Sequence, residues 1–214
     1  MIIAVEGIDG AGKNTLVSAL RESVDAEVLA FPRYADSAAA QLASEALYGR
    51  MGDLTDSAYA MATLFALDRH DALPTLRTFA GSAQRLLIVD RYVASNAAYS
   101  VARTRDESLA DWVEQLEFFR LGLPRPDLQV LLATSAEEAA RRAAHRESED
   151  SQRSRDRYER DAGLQERTLA AYRELARREW GSPWLVTTSA EDILQKIPRS
   201  FFHSTTRAAG VHGE

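Results

Sequence analysis

A glycine-rich segment near the start of the chain, residues 6–15, constrains the fold more than any other feature. An aliphatic run at residues 2–5 precedes this segment, and a helical pattern begins near Gly12. Glycines at such a junction let successive backbone N–H groups converge on an anion, and the helix N-terminus adds partial positive charge. Lys13 adds a full charge that can reach the β- and γ-phosphates of a nucleotide. The segment therefore predicts a phosphate-binding loop rather than a turn without a ligand.

The residues predicted to contact the nucleotide form one continuous stretch: Gly7, Asp9, Gly10, Ala11, Gly12, Lys13, Asn14 and Thr15. One position departs from the general pattern G-x-x-x-x-G-K-[ST], which places a hydroxyl residue after the lysine. This chain has Asn14 there, and the hydroxyl of Thr15 comes one place later. The sequence therefore does not predict direct metal ligation from the position after Lys13.

Four more short aliphatic runs follow, with helical patterns between them: residues 28–31, 86–89, 130–133 and 185–187. This alternation is typical of a parallel sheet covered by helices. The predicted fold class is α/β, a three-layer P-loop NTPase fold with a parallel five-stranded sheet and helices on both faces. The segment at 36–83 should hold two or three helices, and the pattern at 153–179 predicts one amphipathic helix.

Length and composition favour one domain, because the chain has 214 residues of which 45% are hydrophobic. We expect residues 1–203 to form it, with a polar lid at about 145–156 and a flexible tail at 204–214. No apolar stretch approaches the length of a bilayer span, so a cytoplasmic protein without a membrane partner is expected. The net charge of -6 disfavours nucleic acid as a partner, and the absence of cysteine excludes disulfides and thiolate sites.

A carboxylate and an arginine, Asp90 and Arg91, follow directly after the aliphatic run at 86–89. An acidic residue at this strand end would lie near the phosphate loop, where it can hold Mg²⁺ through water or orient Arg91. A surface ion pair is the alternative for such a pattern taken alone. Beside a phosphate loop, the functional interpretation is favoured.

Several motifs in order resemble the thymidylate kinase family, over about residues 1–190: Asp9 in the loop, then 31–34, 90–92 and 95–99. The stretches 59–69 and 92–99 look most like the actinobacterial and mycobacterial members. The resemblance implies transfer of the γ-phosphoryl group of ATP to dTMP with Mg²⁺. It also implies a cis peptide bond between Phe31 and Pro32, and a homodimer, for which helical residues 58–67 and 112–119 are candidate faces.

The resemblance also implies which residues bind the acceptor: Asp9, Phe31, Tyr34, Phe65, Arg69, Arg91, Ser95, Asn96, Tyr99, Asp156 and Tyr158. In the family, the residues matching Phe65, Arg69 and Asn96 stack on the thymine ring and bind its edge. Phe65 and Arg69 are four residues apart on a predicted helix and so share a face. Tyr99 is implied to lie against the sugar, where it would exclude a 2′-hydroxyl group.

The resemblance implies that the acceptor phosphate is bound by Arg91, Tyr34 and the turn at 31–32, and that Ser95 supports this phosphate. Asp9 is implied to accept a hydrogen bond from the sugar 3′-hydroxyl. Asp156 is implied to pair with Arg91, and Tyr158 to line the sugar side. The implied metal-site residues are Asp9, Asp90 and Glu159.

The family has two types, one with a basic residue inside the phosphate loop and one with catalytic arginines in the lid. This chain has Gly10 where the first type carries arginine, and its polar segment includes Arg146 and Arg153. The chain is therefore similar to the lid-arginine type. The residues implied to act in catalysis are Asp9, Lys13, Arg91, Arg146 and Arg153.

Two alternatives remain on sequence alone. One is another small P-loop nucleoside or nucleotide kinase, and the other is a P-loop module that binds nucleotide without turnover. The first alternative is distinguished by whether the acceptor already carries a phosphate. Arg91 and Tyr34 favour an acceptor that is a monophosphate.

Overall fold

The computed structural model describes residues 1–149 and 157–203. The strands in these residues are β1 Ile2–Glu6, β2 Glu27–Ala30, β3 Leu87–Asp90, β4 Leu128–Leu131 and β5 Trp184–Val186. The α-helices are α1 Lys13–Arg21, α2 Ala38–Leu47, α3 Ala58–Asp71, α4 Leu73–Phe79, α5 Val93–Thr104, α6 Ser108–Glu114, α7 Ala136–Glu149, α8 Arg157–Arg160, α9 Ala162–Arg177 and α10 Ala190–Leu194. Shorter helical turns are the 3₁₀ segments Leu54–Asp56 and Arg199–Phe201 and the π-helical segment Gln115–Arg120.

The strands form one parallel sheet in the order β2-β3-β1-β4-β5. Every residue of the central strand β1 is buried, which explains why its sequence is almost continuously aliphatic. Helix α1 contacts β1, β3 and α10, while α9 contacts β4, β5 and α5. The predicted five-stranded parallel α/β fold is confirmed.

The strand register brings three functional segments to one edge of the sheet. Asp90 at the end of β3 pairs with Val5 of β1 on one side and with Ala30 of β2 on the other. The glycine-rich loop, Phe31 and Arg91 follow directly from these strand ends. They therefore meet in the crevice outside the carboxyl ends of the strands, where ligands bind in open α/β sheets.

Two local expectations were wrong in part. Strand β4 begins two residues earlier than the predicted run at 130–133. The predicted helix at 153–179 is divided, because the Asp161 side chain accepts a hydrogen bond from Leu164 N at 2.8 Å and starts α9 there. Residues 145–149, the start of the predicted polar lid, are the last five residues of α7.

Three further expectations concern the lid and the tail, membrane-spanning helices and the peptide bond before Pro32. The rest of the predicted lid, at 150–156, and the predicted tail at 204–214 lie outside the described residues. Over the part of the chain that is described, no helix is long and apolar enough to cross a membrane. The peptide bond between Phe31 and Pro32 is cis, as the resemblance implied.

Candidate active site

The glycine-rich loop fits closely against helix α7. Gly10 has φ of 83°, and a Cβ atom added there would come within 2.1 Å of the carbonyl oxygen of Ala139. Both the left-handed backbone and the contact exclude a larger side chain unless α7 moves. The arginine that the other family type carries in this loop therefore has no room here.

Lys13 lies buried under the loop and holds it in shape. Its Nζ donates hydrogen bonds to the carbonyl oxygens of Gly7 and Ile8, both at 3.1 Å. Burial, together with the charge of Arg91, lowers the pKa of Lys13 to about 8, although Asp9 and other carboxylates oppose this shift. The amine is thus poised to gain charge stabilisation when an anion enters.

The titration of Lys13 leads to a testable prediction. At pH 8, close to its pKa of about 8, a sizeable fraction of Lys13 is neutral without ligand. The phosphates of ATP favour the charged amine, so ATP binding should take up roughly half a proton at this pH. Calorimetric titrations in buffers of different ionisation enthalpy measure that uptake. It should vanish at pH 6 and in Lys13→Arg, and an equal uptake in Lys13→Arg would assign the proton to another group.

The loop lines a cleft of about 1040 Å³ together with residues from β3, α7 and the segment after β4. All the predicted nucleotide-contacting residues except Gly7 line it. Arg142 of α7, which sequence reasoning missed, also faces this cleft and donates from Nη1 to Ala11 O at 3.2 Å. Arg146 lies four residues further along α7 at a position whose side chain is not described, and Arg153 lies outside the described residues.

A second cavity of about 230 Å³ adjoins the first. Its walls come from the loop, the end of β2, α3, α5 and α8. Every predicted acceptor-binding residue within the described ranges lines it: Asp9, Phe31, Tyr34, Phe65, Arg69, Arg91, Ser95, Asn96, Tyr99 and Tyr158. Asp156 lies outside the described residues.

Asp9 and Arg91 form an ion pair where the two cavities meet. The other oxygen of Asp9 accepts hydrogen bonds from Tyr99 Oη at 2.7 Å and from Gln165 Nε2 at 3.2 Å. Burial alone would raise the pKa of Asp9, but the charges of Arg91 and Lys13 outweigh it and lower the pKa to about 2. Asp9 is therefore an anion that holds Arg91 and Tyr99 at the junction.

The backbone at Arg91 is in the left-handed region, with φ of 65°. Its N–H donates to Val5 O at 3.0 Å, which ties this turn to β1. A non-glycine residue held in this conformation is costly and is found where the surrounding structure fixes it, often at functional sites. The turn directs the guanidinium toward the phosphate loop.

Glu6 is a buried carboxylate that sequence reasoning missed. Its oxygens accept from Ser95 Oγ at 2.6 Å and from the Tyr92 N–H at 2.9 Å, with Tyr172 Oη at 3.1 Å. Burial raises the pKa of Glu6, and the hydrogen bond from Ser95 opposes the shift. Ser95, predicted to support the acceptor phosphate, also anchors α5 to the end of β1. An acidic residue directly after an aliphatic strand was the available signal.

A second missed carboxylate, Glu117, lies behind Arg69 and Asn96, which line the smaller cavity. It accepts from Arg69 Nε at 2.5 Å and Nη2 at 2.7 Å, and from Asn96 Nδ2 at 2.7 Å. All three side chains are buried. The stretch 112–119 was interpreted as a candidate dimer face, yet Glu117 and Phe118 point into their own domain.

The donor set near the phosphate loop suits Mg²⁺. Asp90 lines the nucleotide cleft with Thr15, and its buried Oδ1 has no hydrogen-bond partner among the described residues. Nowhere in the described ranges do three or more acidic or histidine side chains cluster as a metal site. Mg²⁺ is commonly held by one or two carboxylates, with phosphates and water completing its shell. The side chain of Glu159 is not described, and Asp9 is engaged by Arg91 and Tyr99.

Comparison with known proteins shows which family this chain resembles. The Thymidylate kinase family model matches residues 5–197. Thymidylate kinase of Mycobacterium tuberculosis strain H37Rv is 54% identical over 200 residues, covering 90% of this chain and 93% of that protein.

Two solved structures share the fold. One is thymidylate kinase from Candida albicans, with TM-score 0.65, 21% identity and coverage of 91% of this chain and 88% of that chain. The other is deoxyadenosine kinase from M. mycoides, with TM-score 0.62, 18% identity and coverage of 92% and 98%. At these identities the structures show the fold alone. The family model and the mycobacterial relative together show that this chain belongs to the thymidylate kinase family.

Proposed function

We propose that this chain transfers the γ-phosphoryl group of ATP to dTMP and releases ADP and dTDP. The observation that carries the proposal is the junction of two cavities at Asp9, Phe31 and Arg91. The phosphate loop with Lys13 lines one cavity, and both apolar and polar side chains line the other. Arg91 faces both, so phosphates placed in the two cavities would approach each other beside one guanidinium.

The chemistry follows from the charges of the reactants. A phosphate oxygen of dTMP attacks the γ-phosphorus, and the bond from that phosphorus to the β,γ-bridging oxygen breaks, leaving ADP. The nucleophile is already an anion, so no general base is required. Lys13 and Arg91 neutralise the charge that gathers on the transferring group. We assign the same task to Arg146 and Arg153 when the lid closes.

Mg²⁺ would bind at Asp90, beside Thr15 of the loop. An ion held there would neutralise part of the charge on the phosphates of ATP. Within the described ranges, Asp90 Oδ1 has no hydrogen-bond partner. This supports the assignment, because a buried carboxylate oxygen without a donor is costly in the absence of a cation.

The sugar site is proposed at Tyr99 and Asp9. The ring of Tyr99 lies nearly parallel to that of Tyr158, with centroids 6.1 Å apart. Bulk at this position leaves little space for a 2′-hydroxyl group, while Asp9 can accept from the 3′-hydroxyl. Tyr34 is 44% exposed at the mouth of the cavity, where it can reach the acceptor phosphate.

We also propose a homodimer and a cytoplasmic location. Exposed apolar side chains on α3 and the adjoining π-helical segment support a dimer face there: Tyr59, Leu67 and Phe119. The cytoplasm is where ATP and dTMP are available.

A coupled ADP-release assay with a panel of acceptors tests the proposed function. The panel comprises dTMP, dUMP, dCMP, dAMP and thymidine, each with Mg-ATP. We expect dTMP to have the highest kcat/KM, with dUMP about 5- to 150-fold lower because only the methyl contact is lost. A preference for another monophosphate would assign a different nucleotide kinase. ATP binding without any turnover would assign a non-catalytic module.

A further inference from the structure

Glu117 fixes the direction of the amide of Asn96. Asn96 Nδ2 donates to Glu117 Oε1 at 2.7 Å and to the carbonyl oxygen of Ala62 at 2.9 Å. Both partners can only accept hydrogen bonds, so the NH₂ group must face them. The amide oxygen Oδ1 is then the atom that Asn96 can present to the cavity that it lines.

Glu117 also fixes Arg69. The two carboxylate oxygens of Glu117 accept hydrogen bonds from Nε and Nη2 of Arg69. Nη1 is then the nitrogen that Arg69 can present to the cavity that it lines. Burial would lower the pKa of Arg69, but the adjacent carboxylate of Glu117 outweighs this and raises it. Arg69 therefore remains a donor. The cavity wall thus presents a donor, Arg69, beside an acceptor, Asn96.

From this arrangement, and resting on the proposed function, we propose that Glu117 is a positioning residue that determines which pyrimidine the enzyme accepts. Thymine offers an acceptor at O4 and a donor at N3, which complements Arg69 and Asn96. Cytosine offers a donor at N4 and an acceptor at N3, so both pairs would be mismatched. The π-helical segment Gln115–Arg120 is what places Glu117 behind the two residues.

The most selective probe is 5-methyl-dCMP, which keeps the shape and methyl group of dTMP. It differs only in having a donor at N4 in place of the acceptor O4, and an acceptor at N3 in place of the donor. In wild type, kcat/KM for dTMP should exceed that for 5-methyl-dCMP by about 10³ or more, since an unmatched buried polar pair is strongly rejected. In wild type, Glu117 Oε1 accepts from both Arg69 Nη2 and Asn96 Nδ2, and Oε2 accepts from Arg69 Nε. In Glu117→Gln, the new NH₂ group therefore faces a donor of Arg69 in either orientation and displaces it, and in one orientation it also faces Asn96 and reverses its amide. The ratio should therefore fall at least about tenfold.

Glu114→Gln is the matched control. Glu114 is three residues away and makes an ion pair with Arg125 at 2.9 Å, outside the acceptor cavity. In Glu114→Gln, the ratio of kcat/KM for dTMP to that for 5-methyl-dCMP should stay within about twofold of the wild-type ratio. A purely structural loss in Glu117→Gln would lower kcat/KM for both substrates equally and leave the ratio unchanged.

Folding is checked by circular dichroism and by ADP binding at the separate phosphate loop. If Glu117→Gln does not fold, Glu117→Asp replaces it, because its shorter carboxylate withdraws from both partners and should lower the ratio at least about threefold. An unchanged ratio in whichever variant folds would overturn the inference alone. A wild type that phosphorylates neither substrate would overturn the proposed function as well.

Discussion

Replacing Lys13 with alanine is expected to lower kcat by about 10³-fold or more. Lys13 is buried beneath the phosphate loop, where its charge acts in a low-dielectric setting. The negative charge on the γ-phosphoryl oxygens is redistributed during transfer, and the lysine stabilises it more in the transition state than in bound ATP. Alanine also leaves the carbonyl oxygens of Gly7 and Ile8 without their donor, which loosens the loop. The measurement is steady-state kcat with saturating ATP and dTMP.

The control is Lys196→Ala, which removes the chain's other lysine at an exposed position. Its kcat should match that of wild type. Circular dichroism should confirm that both variants fold. Turnover within about threefold of wild type in folded Lys13→Ala would remove the phosphate loop from the catalytic account.

Replacing Arg91 with methionine is expected to lower kcat/KM for dTMP by about 10³-fold, through both kcat and KM. The variant loses the cation shared by the two cavities. It also removes the larger of the two charges, Arg91 and Lys13, that lower the pKa of Asp9 to about 2, so that pKa should rise. Steady-state kinetics with varied dTMP measures the catalytic part.

Because the pKa of Asp9 depends on Arg91, the loss of thermal stability in Arg91→Met should depend on pH. In wild type, a folded-state pKa below the unfolded value stabilises the protein above about pH 4, and that stability is lost as the pH falls toward 2. In Arg91→Met the partly buried carboxylate of Asp9 loses its ion-pair partner, so melting temperatures should drop more at pH 7 than at pH 4. Arg177→Met, at a position 71% exposed and paired with Glu174, is the control and should show neither effect. An equal drop at both pH values would contradict the role of the ion pair.

Local features of the chain were predictable from sequence. The strands β1, β3 and β4 were found because buried parallel strands need continuous aliphatic residues, and almost all of their residues are buried. The phosphate loop was found because glycine spacing, Lys13 and a following helix depend on a few adjacent residues. The acceptor residues were found only through the family resemblance, since Phe65 or Asn96 alone would be taken for core or surface residues.

The missed residues owe their roles to partners far along the chain. Glu6 is buried because Ser95, Tyr92 and Tyr172 converge on it. Glu117 is buried because Arg69, 48 residues earlier, meets it across the fold. Hydrophobic periodicity in the sequence does not indicate contacts between residues that are far apart in the chain. A lone acidic residue in an amphipathic helix is usually solvated. The carboxylates that position the site are therefore the part that sequence patterns could not supply.

The comparison of dTMP with thymidine in the acceptor panel tests the central claim most directly. The two differ only in the 5′-phosphate that Arg91 and the adjoining cavities are proposed to receive. The account predicts that Mg-ATP is converted to ADP with dTMP, that dTDP forms in equal amount, and that thymidine has kcat/KM lower by about 10³-fold or more. Phosphorylation of thymidine as fast as dTMP would contradict it.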